Sequence, residues 1–198
     1  MAGPVESKPN PDLDAEKSYS AEIGGNIITR SMSFDVAVFS NWYNDLIEPA
    51  VNEGSTSEGQ FKNITEARVA GTELTATYAR APFSLSANYL YTSSRDLQTD
   101  EPLPYRPDHN VTLSGKLYYF RDIASVNAAW RYKSKRLYSL YPDSPSVPEN
   151  ILDIGHSLNF GRYYFNFKIN NLLQYHYSEA EKGIEDIRNF VFSVGLNI

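Results

Sequence analysis

Residues Phe61 to Arg80 read FKNITEARVAGTELTATYAR. The second half alternates: Leu74, Ala76 and Tyr78 are apolar, while Glu73, Thr75 and Thr77 between them are polar. Successive side chains of a strand point to opposite faces, so this stretch has one apolar and one polar face. The pattern returns on both sides of it. Ahead of it, a strand from about Ser18 to Thr29 turns at Arg30-Ser31 into a second, from Met32 to about Ile47. That second strand sets Phe34, Val36, Val38 and Trp42 against Asp35, Ala37 and Asn41, with Phe39 and Tyr43 mixing the polar side. Behind it, the chain turns at Ala81-Pro82. Phe83, Leu85, Ala87, Tyr89 and Tyr91 then alternate with Ser84, Ser86, Asn88 and Thr92.

The remaining chain repeats the motif. Val111, Leu113, Leu117 and Tyr119 oppose Thr112, Ser114 and Lys116, and after a turn at Arg121-Asp122, Ala124, Val126, Ala128, Trp130 and Tyr132 oppose Ser125, Asn127 and Arg131. Leu152, Ile154, Leu158 and Phe160 oppose Asp153, Ser157 and Asn159. After Gly161-Arg162, Phe165, Phe167 and Ile169 oppose Asn166, Lys168 and Asn170. The last strand places Phe190, Phe192, Val194, Leu196 and Ile198 opposite Ser193, Gly195 and Asn197. This predicts about nine strands and no sustained helix.

The connections sort by parity. Those after the second, fourth, sixth and eighth strands, starting at Glu48 (a loop to Gln60 signalled by Pro49, Gly54 and Gly59), Ser93, Lys133 and Asn171, run about 12 to 18 residues; the others run about two to three. Long loops on one side and short turns on the other are the habit of bacterial outer-membrane barrels. A soluble sandwich gives no reason for such sorting. The expected fold is therefore an all-β, antiparallel up-and-down transmembrane β-barrel segment over residues 18–198. Residues 1–17 form an outer loop or N-terminal extension, and the C-terminus lies on the short-turn, periplasmic side. Alternation by itself leaves open whether the apolar face meets lipid or a second sheet.

Composition is compatible with that reading. The net charge is −6 and the pI about 5.1, against a nucleic-acid partner, which would need a basic patch. The mean hydropathy is −0.44, and no apolar run approaches the ~20 residues of a membrane helix. Barrel strands alternate and so look soluble on average. There are 15 Tyr, 10 Phe and 2 Trp, the residues from which interfacial girdles are built. With no cysteine, disulfides and thiolate metal sites are out. The first residues have no charged segment followed by an apolar one, so they are not a signal peptide.

Asp35, Glu73, Lys116, Arg131, Asp153 and Lys168 fall on the polar face and are expected to look into a wet lumen, with Arg68 or Arg131 as neighbours of Glu73. Trp42, Tyr89, Tyr91, Tyr119 and Trp130 fit girdles better than a pocket. Tyr105, Arg106, Arg136, Tyr138 and Tyr141 lie on outer loops, where aromatic and arginine side chains suit ligand capture. His109, His156 and His176 lack the spacing of a metal site. The acidic run Glu179, Glu181, Glu185 and Asp186 reads as a solvated loop rather than a cation site. No metal, cofactor or nucleophile–base set is expected, and the chain reads as a non-enzyme.

A set of short motifs then occurs in order: Asn10-Pro11-Asp12-Leu13-Asp14-Ala15-Glu16, Glu22-Ile-Gly24, Phe39 through Trp42 to Asp45-Leu46-Ile47, Asn63-Ile64, Gly71-Thr-Glu73, Leu103-Pro104-Tyr-Arg106-Pro107-Asp-His109, Asn171-Leu172 with Tyr175, and Arg188-Asn189-Phe190. In this set the chain resembles the C-terminal barrel portion of TonB-dependent outer-membrane receptors. The resemblance implies a place in the bacterial outer membrane, surrounded by its lipid. It implies uptake of a scarce solute of the siderophore, metal-chelate or vitamin class, and energy from a TonB-type partner acting through a plug. Such barrels have about 22 strands around that plug. The chain is therefore expected to be a fragment whose plug and remaining strands lie elsewhere, since an open sheet edge in lipid leaves backbone groups unpaired. Family chains tend to end in an aromatic residue; this one ends in Ile198. The alternatives are a small passive porin-like or structural barrel and a soluble β-sandwich or lipocalin-like binding protein.

Overall fold

The computed structural model describes residues 6–51, 58–121, 123–139, 146–178 and 187–196. The alternating segments form extended backbone: β1 (Glu6–Lys8), β2 (Lys17–Ile28), β3 (Met32–Val51), β4 (Glu58–Arg80), β5 (Phe83–Asp96), β6 (His109–Tyr119), β7 (Ala124–Lys133), β8 (Glu149–Phe160), β9 (Tyr163–Asn170) and β10 (Asn189–Leu196). They make one sheet in the order β10-β9-β8-β7-β6-β5-β4-β3-β2, with β1 beside β4. From β2 to β10 each strand pairs antiparallel with its successor, an up-and-down meander. The sheet is open, with β2 and β10 as its edges. There is no helix among the described residues. Asp122, Tyr141, the run Glu179, Glu181, Glu185 and Asp186, and the terminal Asn197 and Ile198 lie outside the described residues.

The nine expected strands are β2 to β10, and the structure corrects their ends. Residues 1–17 read as loop, yet Glu6–Lys8 pair in parallel with Glu58–Gln60, and β2 already begins at Lys17. The stretch 48–60 also read as loop because of Pro49 and Gly59. Instead β3 and β4 stay paired from Leu46↔Ile64 out to Val51↔Gly59. β5 continues to Asp96 and β8 starts at Glu149. Segments 97–108, 134–148 and 171–188 remain long connections at one end of the sheet, whereas 29–31, 81–82, 120–123 and 161–162 are tight links at the other. The β3–β4 connection departs from the sorting because its strands outrun the sheet.

β2 stops opposite Asn44 and β5 stops opposite Ala67, so beyond those points β3 and β4 continue as a two-stranded ribbon. Such a ribbon is marginal in water by itself, and the N-terminal segment braces it. Asn63 Nδ2 donates to the carbonyls of Asp14 (3.1 Å) and Asp45 (2.6 Å), and its Oδ1 accepts from the Asp14 amide (3.0 Å). Glu16 Oε1 accepts from the Ile47 amide at 2.7 Å, on the edge that β2 has vacated. Asn10 Nδ2 donates to the Phe61 carbonyl at 2.8 Å, and Gln60 Nε2 to that of Pro9 at 3.0 Å. Residues from three separate sequence motifs thus meet in one clasp.

Register assigns the faces. Phe34, Ala76, Ala87, Leu113, Trp130 and Leu152 are consecutive cross-strand partners and share one face. Asp35, Thr75, Asn88, Thr112 and Arg131 share the other. The apolar face has no second layer behind it: Ile23 is 77% exposed and Phe192 68%. Phe39, an aromatic on the polar face, lies over Gly71. A Cβ there would come 2.7 Å from the Phe39 ring and 2.1 Å from the Tyr91 carbonyl oxygen. Glycine in β4 therefore lets a neighbouring ring lie flat and the β5 backbone approach.

Replacing Asn63 with alanine removes three hydrogen bonds of the clasp, each worth about 1 kcal/mol net. Amide exchange over 44–51 and 58–66 is expected to accelerate by about tenfold or more while the centre of the sheet keeps its rate. Hydrogen-exchange mass spectrometry checks this, and a uniform acceleration over the whole sheet would count against a local brace.

Candidate functional site

All six of Asp35, Glu73, Lys116, Arg131, Asp153 and Lys168 lie on the polar face. Lys116, Asn127, Gly155 and Lys168 form one cross-strand row. Arg131 and Asp153 lie on the neighbouring strands β7 and β8 of the same face. The structure connects three of the six directly. Asp153 is 4% exposed; its Oδ2 lies 2.9 Å from Arg131 Nη1 and 3.8 Å from Lys168 Nζ. Its Oδ1 accepts from the Asn171 amide at 2.9 Å. A carboxylate this buried needs its lone pairs occupied, and two cations with a backbone N–H do so. Asn171 then closes a turn: its side chain donates to the Tyr175 carbonyl and accepts from the Tyr175 amide, both at 2.8 Å. Lys116 Nζ instead lies 4.7 Å above the Tyr118 ring.

One expected neighbour of Glu73 is corrected. Arg68 pairs across from Trp42 and Arg95, on the opposite face. It lies an odd number of positions, five, from Glu73 along β4, so the pleat sends the two apart. Arg68 reaches Ser40 Oγ at 2.8 Å and lies over the Trp42 ring at 5.3 Å.

At the long-connection end, four of the five loop residues come together. Tyr105 and Tyr138 have ring centroids 6.2 Å apart. The Tyr105 hydroxyl lies 3.0 Å from Ser139 Oγ, which donates to the Pro49 carbonyl at 2.8 Å. Tyr105 holds a left-handed φ of 61°, unusual for a bulky residue, and its amide donates to the Leu137 carbonyl at 2.8 Å. Arg106 pairs with Glu48 of the ribbon. Arg136 pairs with Glu149, which also takes Lys133 at 3.0 Å. Leu103 is buried against Leu46 and Ala67, with Tyr43, Ile64 and Val69 around them. Segments 97–108 and 134–139 and the β3–β4 ribbon are thus bound into one unit. Arg106 remains 32% exposed; Tyr138 is buried and the Arg136 side chain nearly so. The fifth residue, Tyr141, lies outside the described residues.

Glu48, Lys133 and Glu149 were absent from the sequence-based candidates. All three fall in stretches that read as loop, and only the Lys133↔Glu149 register brings that pair together. Glu48 has no sequence signal of its own; it acquires its partner when Arg106 folds back onto the ribbon.

The apolar face carries aromatics at two levels. Toward the long connections, Tyr19 stacks on Trp42 at 5.3 Å, and Tyr89 and Tyr91 meet the His109 ring. Trp130 stacks near Tyr132 and donates from Nε1 to Asn150 Oδ1 at 2.6 Å. Toward the tight links, Tyr119 packs on Phe120, its hydroxyl meets His156 Nε2, and Phe160 packs on Phe165. Between the levels lie aliphatic residues such as Val111, Leu113 and Leu117.

One meandering antiparallel sheet with a charged face and an apolar, aromatic-banded face is the wall of an up-and-down β-barrel. The chain belongs to the TonB-dependent receptor family: the family's description, TonB dependent receptor-like beta-barrel, matches residues 1–176. This is a family of receptors and transporters rather than enzymes, and its proteins are outer-membrane β-barrels. Among solved structures the chain is similar to the copper transporter OprC, with a TM-score of 0.78 and 16% identity over 94% of this chain and 32% of that one. It is similar to the siderophore receptor PirA from Acinetobacter baumannii, with a TM-score of 0.74 and 17% identity over 96% and 33%. The FrpB iron transporter from Neisseria meningitidis matches with a TM-score of 0.70 and 16% identity over 97% and 33%. At such identities the likeness is one of fold. The chain spans about a third of the length of these proteins.

Replacing Glu149 with alanine leaves Lys133 and Arg136 facing each other without their shared carboxylate. The expected cost is about 1–3 kcal/mol, concentrated in segment 134–139. Limited proteolysis at Lys135 and Arg136 should accelerate by about tenfold, and Glu149→Gln, which keeps the shape and loses the charge, should fall between it and the parent.

Proposed function

We propose that this chain is part of the wall of an outer-membrane uptake receptor for a scarce solute of the siderophore, metal-chelate or vitamin class. In this reading the apolar face meets lipid and the polar face lines the lumen. The observation that carries it is the spacing of the two aromatic levels. From His109 to Tyr119 along β6 is ten residue steps, about 34 Å of strand. At a tilt of about 40° this becomes about 26 Å of height, against an apolar band of about 25 Å in such barrels. Trp42, Tyr89 and Tyr91 then mark the outer interface and Tyr119 the inner one, while Trp130, opposite Leu113, lies nearer the middle of the wall. The tight links face the periplasm, and so does the C-terminal end of β10.

The open edges of β2 and β10 support a larger wall, because unpaired backbone groups in lipid cost several kcal/mol each. Further strands would pair there, and a plug within the complete barrel would take energy from a TonB-type protein. Outside, Tyr105 and Arg106 are the accessible part of the loop cluster and are the residues proposed to meet the solute. Arg136 and Tyr138 hold the loops that carry them, and Tyr141 belongs to the same stretch of chain.

The purified chain is expected to need detergent to remain monodisperse and to insert into lipid vesicles with its β-structure retained. Size-exclusion chromatography with and without detergent, followed by vesicle flotation, checks this. A stable monomer in plain buffer would overturn the proposal, since the apolar face would then have to be a covered core.

A further inference from the structure

Charge on the polar face is segregated by strand. Among the described residues, over the part of β2 to β5 that lies between the tight links and the Asn44↔Glu66 pair, every charged side chain of that face is a carboxylate: Glu22, Asp35, Glu73 and Asp96. On β6 to β9 the same face carries Lys116, Arg131, Lys133 and Lys168, with Glu149 and Asp153. These last two carboxylates are each 4% exposed, and each is held between two cations. Around Asp153 the cations are what the face presents: the Arg131 side chain is 45% exposed and that of Lys168 49%. Two positive charges share one negative charge. Arg131 spends Nη1 on Asp153, and a guanidinium has further donors in a planar fork. Both cations reach the same oxygen, Oδ2, so their heads lie close enough to grip a single oxyanion. Asp153, anchored by the Asn171 amide, fixes them there.

We propose that Arg131 and Lys168, positioned by Asp153, form a binding site for an oxyanion borne by the solute, a carboxylate or phosphate class group. The carboxylate-only surface of β2 to β5 repels the same group and confines an anionic solute to the β6–β9 side of the wall. Calling the ligand a transported solute rests on the receptor reading above; the site itself rests on geometry and charge.

Citrate is the probe and spermidine the control, titrated calorimetrically into the full chain in detergent. Citrate should bind, more weakly as salt is raised. Arg131→Gln together with Lys168→Gln should weaken citrate binding by about tenfold or more, while Asp35→Asn and Glu73→Gln should not weaken it. Lys168→Gln alone keeps the Arg131–Asp153 bond and guards against a variant that fails to fold; it should show a smaller loss. Spermidine binding as tightly as citrate, or citrate affinity unchanged in both variants, overturns the proposal. A chain that stays monodisperse without detergent yet binds citrate through Arg131 removes the receptor reading and leaves the site. A detergent-requiring chain whose citrate affinity ignores both variants does the reverse.

Discussion

Lateral backbone pairing is the interaction on which everything else in this molecule depends. From β2 to β10 there is one layer and nothing stacked on it, so stability cannot come from a core between two layers. Each interior strand satisfies its N–H and C=O groups against two neighbours, and the side chains are left to deal with two different surroundings. That is why the largest apolar residues, Ile23, Phe190 and Phe192 among them, are exposed rather than buried. A face of this kind cannot persist in water; in a β-barrel receptor it is the face that has no need of a protein partner.

Where the sheet runs past its neighbours, local devices replace lateral pairing. The β3–β4 ribbon would be a bare hairpin. The N-terminal segment adds a short parallel strand to one edge and the Glu16 carboxylate to the other, and Asn63 bonds the crossing chain to both strands. The ribbon in turn holds Glu48 and Pro49, which receive Arg106 and Ser139 from two other connections. Order thus passes outward from the sheet, through the ribbon, to the loops that bear Tyr105 and Tyr138.

On the polar face electrostatics follows the same economy. A carboxylate as enclosed as Asp153 or Glu149 is tolerable only with its oxygens fully engaged. Each is engaged by two cations drawn from different strands or from an adjoining connection. The arrangement ties β7 to β8 and β9 while leaving the cations as the accessible charge.

Much of the fold was legible because its cause is local. Strand periodicity depends on neighbours two residues apart, so Leu74, Ala76 and Tyr78 disclosed their face without any knowledge of the rest, and the family resemblance lay in short motifs quoted in order. Where the structure departs from that local pattern, the cause is tertiary. Pro49 and Gly59 signalled a loop, but a ribbon outside the sheet tolerates both. Arg68 complements Glu73 in charge, yet the pleat sends them to opposite faces. Sequence by itself determined the strands, their two faces and the family. Only the tertiary structure decided that Asn10, Asp14, Glu16 and Asn63 form one clasp, that Glu48 receives Arg106, and that Asp153 is shared by Arg131, Lys168 and the Asn171 amide. The physical reason is that alternation fixes which face a residue takes, whereas its partner depends on register between strands far apart in the chain.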